Sequence, residues 1–191
     1  NGTSSRFKSS VLPDEFEGGR SAVGLLRDAG LRDGIALIGH NERVEQGLFR
    51  SETVSRRLAG VRSAMAENGM HFIAEESCWE WEPHHGYELV SKLLKQEKPP
   101  TALLCLNDRL AFGAYQALGD AGLNIPGDVS IVSFDNDELA TYLRPGLTTI
   151  GLPHEEMGRR AVTMLLSDDE AREVLVPMPI MARASLIAAG A

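Results

Sequence analysis

Short apolar runs alternate along this chain with longer amphipathic stretches, and that alternation leaves few architectures open. The runs at residues 11–12, 35–38, 72–74, 102–106, 129–134, 147–150 and 174–176 are mostly too short for anything but strands. Between them, residues 17–29, 54–68, 83–95, 108–121 and 153–166 carry apolar positions at helical spacing. Gly30, Gly69 and Gly122 stand just past three of these helices, where the left-handed closing conformation suits glycine. Strands alternating with helices pack as a parallel sheet covered by helices, so the fold class is α/β.

Charge and composition remove several functions. Nineteen Lys and Arg against 27 Asp and Glu leave a formal charge of −8, the wrong sign for attracting phosphate backbones, so this segment by itself is not expected to bind nucleic acid. No stretch approaches the roughly 18 uncharged apolar residues of a membrane span. Cys105 lies inside an apolar run and reads as a buried reduced thiol, which favours a cytoplasmic setting. The opening residues carry no initiator methionine and no apolar signal region, so the chain reads as cut rather than begun.

Motifs for catalysis are missing from the sequence: no Gly-x-Ser-x-Gly, no Gly-x-Gly-x-x-Gly after a strand, no Gly-Lys-Ser and no Cys-x-x-Cys. Of His40, His71, His84, His85 and His154, only His84 and His85 are close in sequence, and adjacent rings on a helix diverge by about 100°. No metal, no cofactor and no enzymatic activity are therefore expected. The acidic run at 168–170 reads as a solvated turn, and Glu155 and Glu156 as acids at a helix start.

Polar residues at strand ends remain, which is where open α/β sheets bind ligands. Asn107 and Asp108 follow one apolar run, and Asp135, Asn136 and Asp137 follow another. Asp108 and Asp137 read as helix caps, whereas Asn107 and Asp135, first off their strands, read as ligand contacts. Trp79 and Trp81 sit in a loop after a third strand, either covering its apolar underside or offering a flat platform to a ring-shaped ligand. On the helix of 54–68, Val54, Leu58, Val61 and Met65 face inward, Arg56 points away as a solvated charge, and Arg57 flanks the stripe within reach of a cleft. On the helix of 108–121, Phe112 and Tyr115 fall on the outer side, and Phe112 there fits a partner surface.

Several segments occur in order and at consistent spacing: Ser-Glu-Thr-Val-Ser-Arg-Arg-Leu-Ala-Gly at 51–60, Gly86-Tyr87 before a helix, Pro-Pro-Thr-Ala-Leu-Leu-Cys-Leu-Asn-Asp-Arg-Leu-Ala-Phe-Gly-Ala at 99–114, Gly-Leu-Asn-Ile-Pro-Gly-Asp-Val-Ser-Ile-Val-Ser-Phe-Asp-Asn at 122–136, Pro-Gly-Leu-Thr-Thr at 145–149, Met-Gly-Arg-Arg-Ala at 157–161 and Arg183-Ala-Ser185. Together they resemble the effector domain of the lactose-repressor/galactose-repressor (LacI/GalR) family of bacterial transcription regulators, over residues 12–186.

The resemblance implies the two-lobed fold of periplasmic binding proteins, with an effector in the cleft and three chain crossings between the lobes. Placed on this chain, residues 1–30 and 151–178 would supply part of the first lobe, residues 31–150 the second, and 179–191 its tail. It implies that Arg57 is the main effector-binding arginine, that Asn107 and Asp135 are strand-end ligand residues and that Trp81 stacks on the effector. Thr53 and Glu17 align with two further contact positions. A guanidinium can hold vicinal hydroxyls or a carboxylate, a carboxylate accepts hydroxyl protons, and an indole face packs on a sugar ring. Phe112 and Leu143 align with the family's dimer interface, implying a homodimer, while operator DNA would be held by a helix-turn-helix absent from this chain. Leu31 departs from the family's usual histidine at the lobe junction. A sugar or polyol suits the polar set, although phosphorylated sugars and nucleobases also bind in this family. A periplasmic sugar-binding protein of a transport system is the alternative on the same fold, and an enzyme on a doubly wound sheet the third reading.

Overall fold

The computed structural model of the chain describes residues 9–41, 51–167 and 172–187. Its elements run β1 (Ser10–Pro13), α1 (Glu15–Asp28), β2 (Ile35–His40), α2 (Glu52–Glu67), β3 (Phe72–Ser77), α3 (Pro83–Leu93), β4 (Ala102–Cys105), α4 (Asp108–Asp120), β5 (Ser130–Asp135), α5 (Leu139–Tyr142), β6 (Thr148–Gly151), α6 (His154–Leu166), β7 (Glu173–Val176) and β8 (Ile180–Met181). The seven strands and five helices expected from the apolar runs are all present, with ends shifted by no more than three residues. The acidic run at 168–170 lies outside the described residues.

Two sheets form. The larger has the order β3-β2-β4-β5-β6-β8, parallel except where the two-residue β8 runs against β6; the smaller pairs β1 with β7 in parallel. Apolar runs become central strands because both faces of the large sheet are covered. Alternate residues divide between two cores: Ile35, Leu37, Leu104, Val132 and Phe134 lie under α1 and α2, while Ala36, Ile38, Leu103, Cys105 and Ile131 lie under α3 and α4. Cys78 and Cys105 are free thiols, and burial pushes Cys78 up to about 11 and Cys105 higher still. Among the described residues no helix is long and apolar enough to cross a membrane.

Glycines let paired helices meet backbone to backbone. A Cβ on Gly60 of α2 would stand 1.9 Å from the Phe16 carbonyl oxygen of α1, and one on Gly19 would stand 2.3 Å from that of Arg57. On the other face, a Cβ on Gly113 would meet the Pro83 oxygen at 1.9 Å. The α1–α2 pair thereby holds Glu15 and Arg57, one from each helix, in register.

Ala22, Val23 and Leu26 of α1 join the core of the large sheet, because the apolar stripe of α1 packs against that of α2. Two features differ from the sequence reading. Arg56 is not a free solvated charge: it pairs with Glu52 at 2.6 Å and with Glu173 of β7 at 3.1 Å, joining α2 to the small sheet. Tyr115, like Phe112, is half-buried rather than fully outward, and its hydroxyl donates to the Pro145 carbonyl at 3.0 Å.

Gly113→Ala is expected to lower stability by about 2 kcal/mol through overpacking against backbone. Gly24→Ala, on α1 with no heavy atom within 4 Å of the added Cβ, is expected to raise stability by about 0.5–1 kcal/mol. Urea unfolding of the two variants checks both signs.

Candidate functional site

Parallel strands deliver their carboxyl ends to one edge, and the polar residues singled out from the sequence gather there around Arg57. The second turn of α2, a helix capped by Ser51, sends Arg57 inward, where it is 1% exposed. Its Nε–H donates to one oxygen of Glu15 at 2.7 Å and Nη2 to the other at 3.1 Å. Nη1 donates to the Leu106 carbonyl at the end of β4, and Nη2 reaches Asp135 Oδ1 at the end of β5 at 3.3 Å. The guanidinium carbon lies 4.4 Å from the centre of the Phe134 ring and 5.8 Å from that of Trp81, both within cation–π range. A fully buried guanidinium needs this many partners, since a buried charge left alone costs several kcal/mol.

Asp135 is the part of the cluster that meets solvent, with 29% of its side chain exposed. Burial pushes its carboxyl up from the ordinary value, and Arg57 pulls the other way. Its backbone has φ +105° and that of Asn136 +56°, conformations that cost a non-glycine residue about 1–3 kcal/mol and persist only when held. Three side chains hold them. Asp108, 1% exposed, accepts from the Ser133 hydroxyl and from the Asp137 N–H at 2.7 Å; Thr149 Oγ1 accepts from the Asn136 N–H at 3.3 Å; Arg183 donates to the Asn136 side chain at 2.6 Å.

Trp81 and Asn107 are tied to one another and to the sheet. The Trp81 indole donates to the Gly39 carbonyl at 2.7 Å, and Asn107 Nδ2 donates to the Trp81 carbonyl at 3.3 Å. Asn107 Oδ1 accepts from the Leu110 N–H at 2.9 Å, so Asn107 caps α4 while Asp108, expected as the cap, turns inward to the 135–137 loop. Thr53 lines a cavity of about 140 Å³ between the two sheets, together with Val11, Pro13, Glu15, Arg56 and Met157.

Glu17 does not join the cluster. Its carboxylate is exposed and stands 3.7 Å from Arg20 on the outer side of α1. The acid that reaches Arg57 is Glu15, which the sequence reading passed over because it began the helix at residue 17. With Asp14 as the cap, residues 15 and 17 differ by about 200° around the helix, so one faces in and the other out. Phe134 was also missed, since an apolar residue ending an apolar run carries no polar signal.

Comparison with known proteins places this geometry. Residues 23–186 match the periplasmic binding protein-like domain family. The chain is 37% identical over 164 residues to the HTH-type transcriptional repressor PurR of Erwinia tasmaniensis, covering 84% of this chain and 45% of that protein. It is 38% identical over 157 residues to PurR of Pasteurella multocida, covering 81% and 44%. The chain therefore spans less than half the length of these relatives. Among solved structures, the lac repressor dimer bound to operator and the anti-inducer ONPF superposes with a TM-score of 0.81 at 28% identity, covering 94% of this chain and 61% of that one. A LacI family transcriptional regulator from Enterococcus faecium with bound ribose gives 0.77 at 30% identity, covering 93% and 65%.

Asp108, whose ordinary value is 3.8, is pushed up to about 6 by burial, against the pull of its hydrogen bonds. Between those two values the folded chain binds more proton than the unfolded one, so this carboxyl's contribution to stability falls as pH rises from about 4 to about 6. The full difference is about 3 kcal/mol. Asp108→Asn is accordingly expected to cost more stability at pH 4.5 than at pH 7.5, and equal costs at the two pH values would refute this.

Proposed function

Since the chain belongs to the periplasmic binding protein-like domain family and is an effector-binding domain of the LacI/GalR type, we propose that it senses a small hydroxyl-rich molecule, a sugar or polyol, for a transcription regulator. The observation carrying this reading is the meeting of Arg57, Asp135 and Trp81 at the carboxyl edge of the large sheet, beside the cavity that Thr53 lines between the two sheets. The half-exposed carboxylate of Asp135 accepts hydroxyl protons, Trp81 supplies an aromatic face, and Asn107 keeps Trp81 in place. The expectation of direct contact with Arg57 is replaced here: four of its five N–H donors are taken by protein, so it orients Asp135 rather than holding ligand with a free fork.

Packing supports a lobe division in which β1, α6 and β7 belong to one lobe and residues 15–41, 51–151 and 179–187 to the other. The first crossing then falls at Asp14 instead of Gly30, and the others at 152–153 and 177–178. Effector between the lobes favours one relative orientation, and in a dimer whose lobes position DNA-binding units over two half-sites that bias alters operator affinity by a coupling of about 1–3 kcal/mol. No bond is made or broken, and the setting is cytoplasmic. The relatives named as repressors favour this reading over a transport receptor.

A thermal-shift screen of sugars, polyols, sugar phosphates and nucleobases on the purified protein tests the reading. At 100 times its dissociation constant a true effector contributes about 2.7 kcal/mol and raises the midpoint by several degrees. The gain should vanish in Asp135→Asn, whose amide oxygen can still accept from Arg57 Nη2 while the carboxylate charge is lost. A screen without hits on folded protein would end the effector reading.

Phe112 and Leu143, both half-buried near α4 and α5, are proposed as part of a homodimer surface. Phe112→Asp is expected to halve the mass in solution measured by light scattering, and an unchanged dimer mass would remove Phe112 from the interface.

A further inference from the structure

The charges around the cavity are arranged against anions. Arg56 lines it and Arg57 lies buried behind its Glu15 wall, and each guanidinium is bracketed by two carboxylates: Arg57 by Glu15 and Asp135, Arg56 by Glu52 and Glu173. Glu15 is the decisive member. It is 2% exposed, engages both Nε and Nη2 of Arg57, and also lines the cavity, so it stands between the guanidinium and the space a ligand would enter. The Nε/Nη2 edge is one of the paired-donor edges by which arginine recognises a carboxylate or phosphate. Here an internal carboxylate already fills it, and the nearest open acceptor, Asp135, is itself negative.

We propose that Glu15 is a specificity-determining residue: by occupying the paired-donor edge of Arg57 it bars phosphate monoesters and carboxylates from the cleft and restricts the effector to uncharged, hydroxyl-bearing molecules. This rests on the effector reading above and adds to it a charge filter that the choice among sugars, sugar phosphates and nucleobases depends on. An anion entering the native site meets carboxylates beside both guanidinium groups and finds the Nε/Nη2 edge of Arg57 already filled by Glu15, whereas a neutral hydroxyl donates to Asp135 without displacing anything. Removing the Glu15 side chain opens the Nε/Nη2 edge of Arg57 toward the cavity and reverses the preference.

Inorganic phosphate is the probe, because it tests the filter without knowledge of the effector. The melting midpoint of the purified protein is measured in rising sodium phosphate against sodium chloride of equal ionic strength, for wild type, Glu15→Ala and Glu15→Ala/Arg57→Met. Phosphate stabilises most proteins weakly by exclusion, so the quantity read is the saturable difference between variants. Glu15→Ala should gain several degrees that wild type does not, and the double variant, which removes the buried pair together and leaves no lone charge, should lose that gain. If Glu15→Ala does not fold, the isosteric Glu15→Gln is titrated in its place, with a smaller gain expected because its amide oxygen still meets the guanidinium. Equal phosphate responses in wild type and the Glu15 variant would overturn the proposal. So would tighter binding of ribose 5-phosphate than of ribose, or of galacturonate than of galactose, by wild type in calorimetry. A screen in which no neutral compound binds would remove the effector reading alone, because the phosphate comparison still decides whether Glu15 acts as the filter.

Discussion

One buried guanidinium organises the carboxyl edge of the large sheet. Arg57 ties the start of α1 through Glu15, the end of β4 through the Leu106 carbonyl and the end of β5 through Asp135, and it rests on the Phe134 ring. Taking such a charge out of water is tolerable only because each side of the group meets an acceptor or an aromatic face. The same requirement explains why α1 and α2 approach backbone to backbone at Gly19 and Gly60: a wider spacing would pull the Glu15 carboxylate away from the guanidinium.

The 135–137 loop depends on that arrangement from its other side. Asp135 and Asn136 occupy conformations that residues with a side chain seldom adopt, and they are kept there by Asp108 beneath, Thr149 alongside and Arg183 from the chain's last segment. Arg183 also donates to the Leu147 carbonyl, and Ser185 accepts from the Thr148 N–H and donates to the Ile131 carbonyl. The closing Arg183-Ala-Ser185 motif therefore stitches β5 and β6 together behind the loop that presents Asp135. Motif residues far apart in sequence serve one local geometry, which leaves the Asp135 carboxylate part-exposed at the end of β5.

The contact between the two sheets is lighter. Arg56 joins α2 to Glu173 of β7, and Met178 lies against Gly18 of α1, where the chain passes from the small sheet back to the large one. A part-exposed ion pair of this kind contributes about 1 kcal/mol or less.

Most of the fold was legible from the chain because strand and helix formation here rest on local spacing. Two-residue alternation buried on both faces yields β2, β4 and β5, and the 3.6-residue stripes yield α1 to α4. Arg57 was legible at the flank of its stripe, and Asp135 as the first residue off its strand. Which acid meets Arg57 was not, because Glu15 and Glu17 share one helix start and only the cap at Asp14 determines which faces inward. Nor could spacing show that Asn107 would cap α4 while Asp108 turned under the loop, since both are good caps and the choice depends on what lies beneath. Sequence alone thus determined the α/β class, the order of elements and the residue types gathered at the strand ends, all of which follow from short-range periodicity. Tertiary structure alone decided that α1 packs on the large sheet and that the paired donors of Arg57 are filled by Glu15, because those outcomes depend on which distant side chains come within hydrogen-bond reach of each other.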